Sequence, residues 1–251
     1  MLGRFFAGNW RPPADEIRFA AEHGFAAIQI RCDEPGGIAN VLREDPSGTG
    51  RVFADAGVEC VVEMLQRFHE PITVVEALAA NVPALHSLGA RRVHIHPVPG
   101  ASHVDARELE RRFPGEFAEA CELAEREGLI LGVEHNSHEH RLLVDAAVVA
   151  DLLAVVPGLS FVWDTNHAAP DGFVDLLPRA SLVHVSDTPL PDTNHHLPLG
   201  HGNVDFAILR EVDVPLILEI GGLPHSGGPG LDTDEALLAS RDQLRNLVQL
   251  R

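Results

Sequence analysis

The amino-acid sequence predicts an α/β protein built as a single (β/α)8 TIM barrel, and three observations support that prediction. The chain has 251 residues, close to the roughly 250 residues of a complete barrel. Short runs rich in Val, Ile, Leu and Phe alternate with helix-like stretches along the whole length, which is the pattern of parallel βα units. No linker or change of composition divides the chain, so residues 1–251 are expected to form one domain.

Eight short apolar runs are predicted to be β-strands. In chain order they span residues 3–7, 25–31, 58–65, 92–96, 129–134, 160–164, 182–186 and 216–220. Eight strands favour closure into a barrel. An open doubly wound sheet is the structural alternative, but no GxGxxG motif follows the first strand.

Helical patterns occupy the segments between the predicted strands. The clearest covers residues 106–127, where apolar residues recur at helical spacing, with Asp105 as its expected N-cap. A glycine stands between a helical pattern and the next strand at four places: Gly24, Gly57, Gly89 and Gly128. Glycine suits the left-handed conformation that ends a helix, and its repeated use indicates a quasi-regular series of units.

Composition and charge exclude several classes of partner. The chain carries 19 basic and 37 acidic residues, a formal net charge of −18, so it would repel a phosphate backbone and no nucleic-acid partner is expected. No apolar run approaches the ~18 residues of a membrane span, so no membrane partner is expected. The three cysteines, Cys32, Cys60 and Cys121, are isolated and fit a reducing cytoplasm. Homo-oligomerisation is left open.

Two absent residue types narrow the chemistry. All basic residues apart from histidine are arginine, since the chain has no lysine, and it has no tyrosine. Schiff-base catalysis, a lysine-bound pyridoxal cofactor and a phosphate-binding loop ending in Gly-Lys-Ser/Thr are therefore excluded. Proton transfer must fall to His, Asp, Glu, Cys or a metal-bound water, and the 15 histidines make a metal attractive.

Four consecutive predicted strands end in a polar residue that an apolar β-core would not select. These residues are Glu134, Asp164, His184 and Glu219. In a barrel such ends converge on one face. Three carboxylates brought together without a cation would repel one another and be costly to desolvate. The pattern therefore predicts one divalent metal ion, with oxygen and imidazole ligands that suit Mn²⁺, Mg²⁺, Co²⁺ or Zn²⁺.

Two segments rich in Pro, Gly and His interrupt the alternation of strands and helices. They cover residues 188–202 and 221–231, and each follows a predicted strand. Both should lie at the C-terminal mouth of the barrel, where active sites are built. His135, His138 and His140 form a further cluster after the fifth strand, which we interpret as a solvated loop rather than a metal-binding tract.

The second half of the chain resembles a known family. The resemblance covers residues 129–220 well and the first half only in rhythm, and it rests on the segments GVEHN, FVWDTNHA, LVHVSDT, HHLPLGHGNVDF and PLILEI. These resemble the xylose isomerase-like TIM barrel superfamily, which includes sugar phosphate isomerases and epimerases, related dehydratases and the AP endonuclease family 2 nucleases. The resemblance implies a small-molecule sugar or keto-polyol as substrate.

The resemblance also implies roles for individual residues. Glu134 and Glu219 match glutamates that both bind the metal and move protons, and Asp164 and His184 match the remaining ligands. A carbonyl and adjacent hydroxyl held by a metal have an acidified C–H, so two glutamates can transfer a proton through an enediolate. His167 matches a histidine that contacts substrate.

Two further histidines are assigned to the substrate site through the nuclease branch. His96, in the sequence His-Pro-Val-Pro-Gly, and His196 stand near positions where that branch places metal ligands. The chain departs from the pattern because Asn194 replaces a carboxylate, and His201 stands where relatives commonly have glutamate. We therefore predict substrate contacts for His96 and His196 instead of a second metal.

The predicted function is accordingly a metal-dependent epimerase or isomerase. A dehydratase acting on an inosose- or dehydroshikimate-like substrate is the alternative, because the same proton abstraction can expel a β-hydroxyl group. A non-catalytic metal- or ligand-binding barrel and an endonuclease IV-type phosphodiesterase are more distant alternatives. The absence of lysine disfavours a hydride shift, which uses a lysine in the isomerases that follow that route.

Overall fold

The computed structural model describes residues 1–6, 11–32, 44–68, 73–99, 105–169, 172–220, 231 and 233–248. Eight parallel strands close into one barrel in sequence order, and β1 pairs with both β2 and β8. The (β/α)8 prediction is therefore confirmed, and the open sheet is excluded.

Each predicted strand overlaps an observed one. The observed strands are β1 (Leu2–Phe6), β2 (Ala27–Cys32), β3 (Glu59–Phe68), β4 (Arg92–Pro99), β5 (Ile130–Glu134), β6 (Ser160–Asp164), β7 (Ala180–Val185) and β8 (Leu216–Leu218). The last strand has only three residues, so Glu219 lies directly beyond its end. The backbone N–H of Glu219 still donates to the carbonyl of Val185, which keeps this residue attached to the sheet.

Helices surround the barrel less regularly than the sequence suggested. In the part of the chain that the structure describes, the α-helices are α1 (Pro13–Glu22), α2 (Pro46–Ala56), α3 (Val74–Leu88), α4 (Ala106–Arg126), α5 (Ala146–Val155) and α6 (Asp234–Val248). In the described parts of the segments after β6 and β7, short 3-10 helices, Val174–Arg179 and Phe206–Glu211, take the place of α-helices. The described loops that follow the carboxyl ends of these two strands therefore contain little helix.

The predicted helix ends are confirmed at the residue level. Gly24, Gly57, Gly89 and Gly128 all have φ between 67° and 70°. The Asp105 side chain accepts a hydrogen bond from the backbone N–H of Arg107 at the start of α4. Among the described residues, no helix is long and apolar enough to cross a lipid bilayer.

Two layers of side chains fill the barrel interior. The layer nearer the amino-terminal ends of the strands, here called the apolar layer, is a separate buried cluster of Ala27, Val61, Val162, Leu182 and Ile217. A Cβ atom on Gly3 would lie 2.5 Å from Ile217 Cδ1, which shows how closely this layer is packed. One inward-facing position further along the strands lies the polar layer: Gln29, Glu63, His94, Glu134, Asp164, His184 and Glu219.

Candidate metal centre

The four predicted metal ligands meet at the C-terminal mouth of the barrel. Glu134 and Asp164 are the last residues of β5 and β6, and His184 lies in β7. His184 Nδ1 is 3.1 Å from Glu134 Oε1 and 3.6 Å from Glu219 Oε1. Ligand atoms of Asp164, His184 and Glu219 all lie within 4.8 Å of one another. The structure therefore brings all four residues to one buried point.

The chemistry of these residues fits a cation. Glu134 Oε2 and Asp164 Oδ2 are buried, and each lies close to a histidine nitrogen, His94 Nε2 at 3.3 Å and His167 Nε2 at 3.1 Å. Buried carboxylates are costly unless their charge is compensated, and a divalent ion would compensate it. Three carboxylates and an imidazole form an oxygen- and nitrogen-rich donor set that suits a first-row divalent metal or Mg²⁺.

Without a metal, protons compensate the crowded negative charge. Burial raises the pKa of Glu219 well above its usual value, and the carboxylates of Asp164 and Glu134 add to the effect against the opposing influence of His184. Burial would lower the pKa of His184, but the carboxylates of Glu219 and Glu134 raise it well above the usual value. The metal-free centre thus holds protons that a divalent ion would displace.

Glu134 differs from Glu219 in its charge state. Burial alone would raise the pKa of Glu134, yet the positive charges of His96 and His184 and hydrogen bonds from His184 and His94 hold it well below the usual value. His94 Nε2 lies 3.3 Å from Glu134 Oε2, and burial lowers the pKa of His94. In the metal-free centre the pKa values of the two predicted catalytic glutamates are therefore shifted in opposite directions.

His167 lies beside the centre, and its predicted contact with substrate stays a prediction. Its Nε2 is 3.1 Å from Asp164 Oδ2, and its Nδ1 pairs with the backbone carbonyl of His135 at 2.9 Å. An Nδ1–H donated to that carbonyl leaves Nε2 as the nitrogen that faces the centre. The backbone carbonyl of His135, which follows β5, therefore fixes the orientation of the His167 ring.

His196 reaches the centre from the long loop after β7. The backbone N–H groups of His195 and His196 both donate to Asn166 Oδ1, which ties this loop to the one after β6. His196 has φ of 49°, and its Nδ1 is buried, without a hydrogen bond from the described residues, and 3.6 Å from Glu219 Oε2. The other ring nitrogen, Nε2, pairs with Asn194 Oδ1 at 3.1 Å, so Nδ1 is the nitrogen directed at the centre.

A second carboxylate organises the same loop. Asp187 follows β7 and accepts hydrogen bonds from the backbone N–H groups of Thr188, Gly200 and Val204. The predicted loop 188–202 thus lies at the C-terminal face, next to the centre. The other predicted loop, residues 221–231, lies outside the described residues except for Leu231.

His96 lies on β4 beside the centre, and both of its ring nitrogens have polar partners. Its Nδ1 is 3.2 Å from Glu63 Oε1, and its Nε2 is 2.5 Å from Asn136 Oδ1. Burial would lower the pKa of His96, but Glu134 and Glu63 raise it to about 9. The ring therefore carries a positive charge next to Glu134, whose Oε2 is 3.6 Å away.

The interpretation of the histidine cluster after β5 as a solvated loop is wrong for its first member. His135 is fully buried, and its ring stacks on Phe173 with centroids 4.0 Å apart. The backbone N–H of Asp164 donates to His135 Nε2, and burial lowers the pKa of His135 to about 3. The sequence suggested solvent because the residue follows a strand, but the adjacent loop after β6 covers it. His138, by contrast, is exposed.

Sequence reasoning missed two members of the polar layer, Gln29 on β2 and Glu63 on β3. Each is buried, and each interrupts an apolar strand, AIQIRC and ECVVEMLQRF respectively. Burial would raise the pKa of Glu63, but Arg31 and His96 lower it to about 2. A polar residue inside an apolar strand was the available signal in the sequence.

Fold and site together define a class of protein: a closed (β/α)8 barrel with buried carboxylates and imidazoles at the carboxyl ends of its strands. The chain belongs to the xylose isomerase-like TIM barrel family, whose sequence profile matches residues 17–243. No curated protein matches the chain at the level of sequence.

Several solved structures share the fold. D-Psicose 3-epimerase with D-tagatose, from Clostridium cellulolyticum H10, is 14% identical with a TM-score of 0.76, over 98% of this chain and 99% of that one. The IOLI protein with a bound zinc atom is 15% identical with a TM-score of 0.76, over 99% and 98%. An AP endonuclease of family 2 from Brucella melitensis is 16% identical with a TM-score of 0.68, over 87% and 92%.

Proposed function

We propose that this protein is a divalent-metal-dependent epimerase or isomerase of a small sugar or keto-polyol. The observation that carries the proposal is the convergence of Glu134, Asp164, Glu219 and His184 at one buried point of the barrel mouth. The similarity in fold to structures of sugar epimerases supports the substrate class.

The proposed ligands of one Mn²⁺, Mg²⁺, Co²⁺ or Zn²⁺ ion are the same four residues. Such an ion, when bound, polarises a substrate carbonyl and acidifies the neighbouring C–H. The burial of three carboxylates around the His184 ring supports this assignment. The four side chains are almost wholly buried, and electrostatic interactions are stronger there than in water.

Glu134 and Glu219 are the proposed catalytic acid and base. They approach His184 Nδ1 from β5 and from the end of β8, the outermost of the four strands that carry the ligands. One carboxylate removes a proton from the carbon beside the carbonyl to give an enediolate, and the other returns a proton to it. No lysine or tyrosine is available for either step.

Three histidines complete the proposed substrate site. His196 Nδ1 is buried without a hydrogen bond from the described residues, so it can serve a substrate oxygen. His167 Nε2 stands beside Asp164 and is the other nitrogen placed to contact substrate. His96 would act through its charge and shape, because Glu63 and Asn136 already occupy both of its nitrogens.

The remaining proposals concern the chain as a whole. We assign residues 1–251 to one barrel domain, because the strands of the closed sheet extend from Leu2 to Leu218. The isolated cysteines support a cytoplasmic location.

The proposal is tested by solvent exchange. The Mn²⁺-loaded protein is incubated in deuterated water with a panel of keto-sugars and inosose-like compounds, and products are analysed by NMR and mass spectrometry. We expect deuterium at a carbon next to the carbonyl and formation of an epimer or isomer, both abolished by a chelator. Loss of water from the substrate would instead identify a dehydratase. No exchange with any member, in protein that retains its metal, contradicts the proposed reaction.

A further inference from the structure

Gln29 occupies a position in the polar layer that no metal ligand or proposed catalytic residue fills. It lies on β2 and is fully buried. Its Nε2 donates to Glu219 Oε1 at 3.1 Å and to Glu63 Oε2 at 3.3 Å. Its Oε1 is 2.7 Å from His184 Nε2, across the barrel. One amide therefore contacts a proposed catalytic glutamate, a proposed metal-binding histidine and the carboxylate of β3.

The orientation of this amide is determined by its neighbours. The Glu63 carboxylate can only accept hydrogen bonds, so the NH2 group of Gln29 must face it, and Glu219 Oε1 accepts from the same nitrogen. Rotating the amide by half a turn would place Oε1 against Glu63 Oε2. The carbonyl oxygen is therefore held toward His184, and because it can only accept, the Nε2 atom of His184 must carry a hydrogen.

The consequence for His184 concerns which of its nitrogens is available to a metal. With Nε2–H donated to Gln29, the nitrogen that a metal can reach, in place of a proton, is Nδ1, which lies 3.1 Å from Glu134 Oε1 and 3.6 Å from Glu219 Oε1. Nδ1 is thus the nitrogen on the side of the proposed ligands. Histidine ligands of metals are commonly fixed by a hydrogen bond from the other ring nitrogen to a carbonyl or carboxylate oxygen.

We propose that Gln29 is a positioning residue: it fixes the ring of His184 so that Nδ1 is the nitrogen presented to the metal. This inference rests on the proposed metal centre but not on the proposed substrate or reaction. Glu63 supports this role because it accepts a second hydrogen bond from the amide nitrogen of Gln29. If Glu219 Oε1 turned toward a metal ion, the hydrogen bond to Glu63 would still hold the amide in the required orientation.

The first measurement uses the zinc-loaded protein, because Zn²⁺ is diamagnetic. Long-range ¹H–¹⁵N NMR spectra of the histidine rings report which nitrogen of His184 binds zinc and which carries a slowly exchanging proton. We expect zinc on Nδ1 and a protected proton on Nε2. Zinc bound through Nε2 in the wild-type protein overturns the proposal directly, without any variant.

Two substitutions then separate hydrogen bonding from packing. Gln29→Met keeps a side chain of similar size but removes the strong acceptor, whereas Gln29→Ala removes the acceptor and most of the packing contacts. We expect both variants to lose protection of the Nε2 proton and to weaken zinc binding roughly 10- to 100-fold. A residue needed only for packing would keep both properties in Gln29→Met and lose them in Gln29→Ala.

Ser160→Ala is the matched control. Ser160 is a polar residue of the same barrel, near the amino-terminal end of the strands, and its hydroxyl donates to the carbonyl of Leu131 and accepts from the hydroxyl of Ser181. Its loss should leave zinc affinity and the His184 spectrum unchanged. Zinc affinity is measured by competition with a chromophoric chelator.

The outcomes also distinguish this inference from the proposed function. Wild-type affinity and spectrum in Gln29→Met overturn the positioning role, whether or not the protein turns over a sugar. Normal zinc binding with no solvent exchange on any substrate leaves the positioning role intact and removes the proposed reaction. A wild-type protein that binds no zinc at this site overturns the positioning role together with the metal centre.

Discussion

The apolar and polar layers of the barrel interior are neighbours on the same strands, yet they have opposite chemistry. On β6, β7 and β8 the inward-facing residue changes within two positions, for example from Leu182 to His184 and from Ile217 to Glu219. The apolar layer packs closely and gains stability from burial. The polar layer buries carboxylates and imidazoles, each of which costs several kcal/mol unless it is compensated.

This contrast indicates how the barrel separates stability from chemistry. Packing of the apolar layer can hold the strands in place. The polar layer can then keep buried carboxylates whose pKa values are shifted from the usual values. Substitutions in the two layers should therefore have different signatures. Those in the polar layer should affect turnover, metal binding and pH dependence, and those in the apolar layer should affect the free energy of unfolding.

The largest effect is expected for the two glutamates of the polar layer. Glu134→Gln and Glu219→Gln each keep an oxygen ligand and nearly the same volume but remove the carboxylate that moves the proton. We expect turnover to fall by roughly 10²–10⁴, together with weaker metal binding. Steady-state rates and solvent exchange are measured with metal in saturating excess. The exposed Glu122 supplies the control Glu122→Gln. Retained exchange in both polar-layer variants would remove the two-base mechanism.

The apolar layer should show the opposite behaviour. Ile217→Ala leaves a cavity in a fully buried cluster, so we expect the free energy of unfolding to fall by about 2–5 kcal/mol. Urea denaturation followed by circular dichroism measures this loss. Metal affinity of the folded variant should stay near that of the wild type. Loss of metal binding in a variant that is still folded would show that the layers are not separable.

Stability of the metal-free protein should depend on pH through His96. Its pKa is raised from 6.5 to about 9 in the folded state, so its contribution is complete below pH 6.5 and is lost as pH rises through 9. In that window we expect the free energy of unfolding to fall by on the order of 1 kcal/mol per pH unit from this group. His96→Gln, compared with wild type by urea denaturation in chelator, should flatten the slope. Equal slopes in the two proteins would show that His96 is not charged in the folded state.

The smallest effect is expected at the edge of the polar layer. His167→Ala should raise KM roughly tenfold, equivalent to about 1.4 kcal/mol of substrate binding, with a much smaller change in kcat. Steady-state kinetics on the substrate identified by the exchange experiment provide the test. His138→Ala, at an exposed position of the same histidine-rich region, is the control. A fall in kcat that matches Glu134→Gln would instead place His167 among the proton-transfer residues.

The sequence alone determined the barrel and one half of its candidate site. The periodicity of strands and helices arises from local backbone geometry. The glycines at the helix ends have a left-handed conformation, which depends only on local steric interactions. Glu134, Asp164, His184 and Glu219 could be found because a polar residue at the end of an apolar strand is visible in one segment at a time. Parallel strands then place their carboxyl ends together.

Only the tertiary structure decided the other half of the site and the burial of its surroundings. Gln29 and His184 are 155 positions apart in sequence, and their contact exists because closure of the sheet places β2 across from β7. A polar residue within a strand can face solvent or the interior, and its own segment does not distinguish the two. The burial of His135 could not be predicted for a similar reason, because the loop that covers it follows the next strand, β6. Hydrogen bonds between distant segments, and the pKa shifts that depend on them, arise only when the barrel is closed.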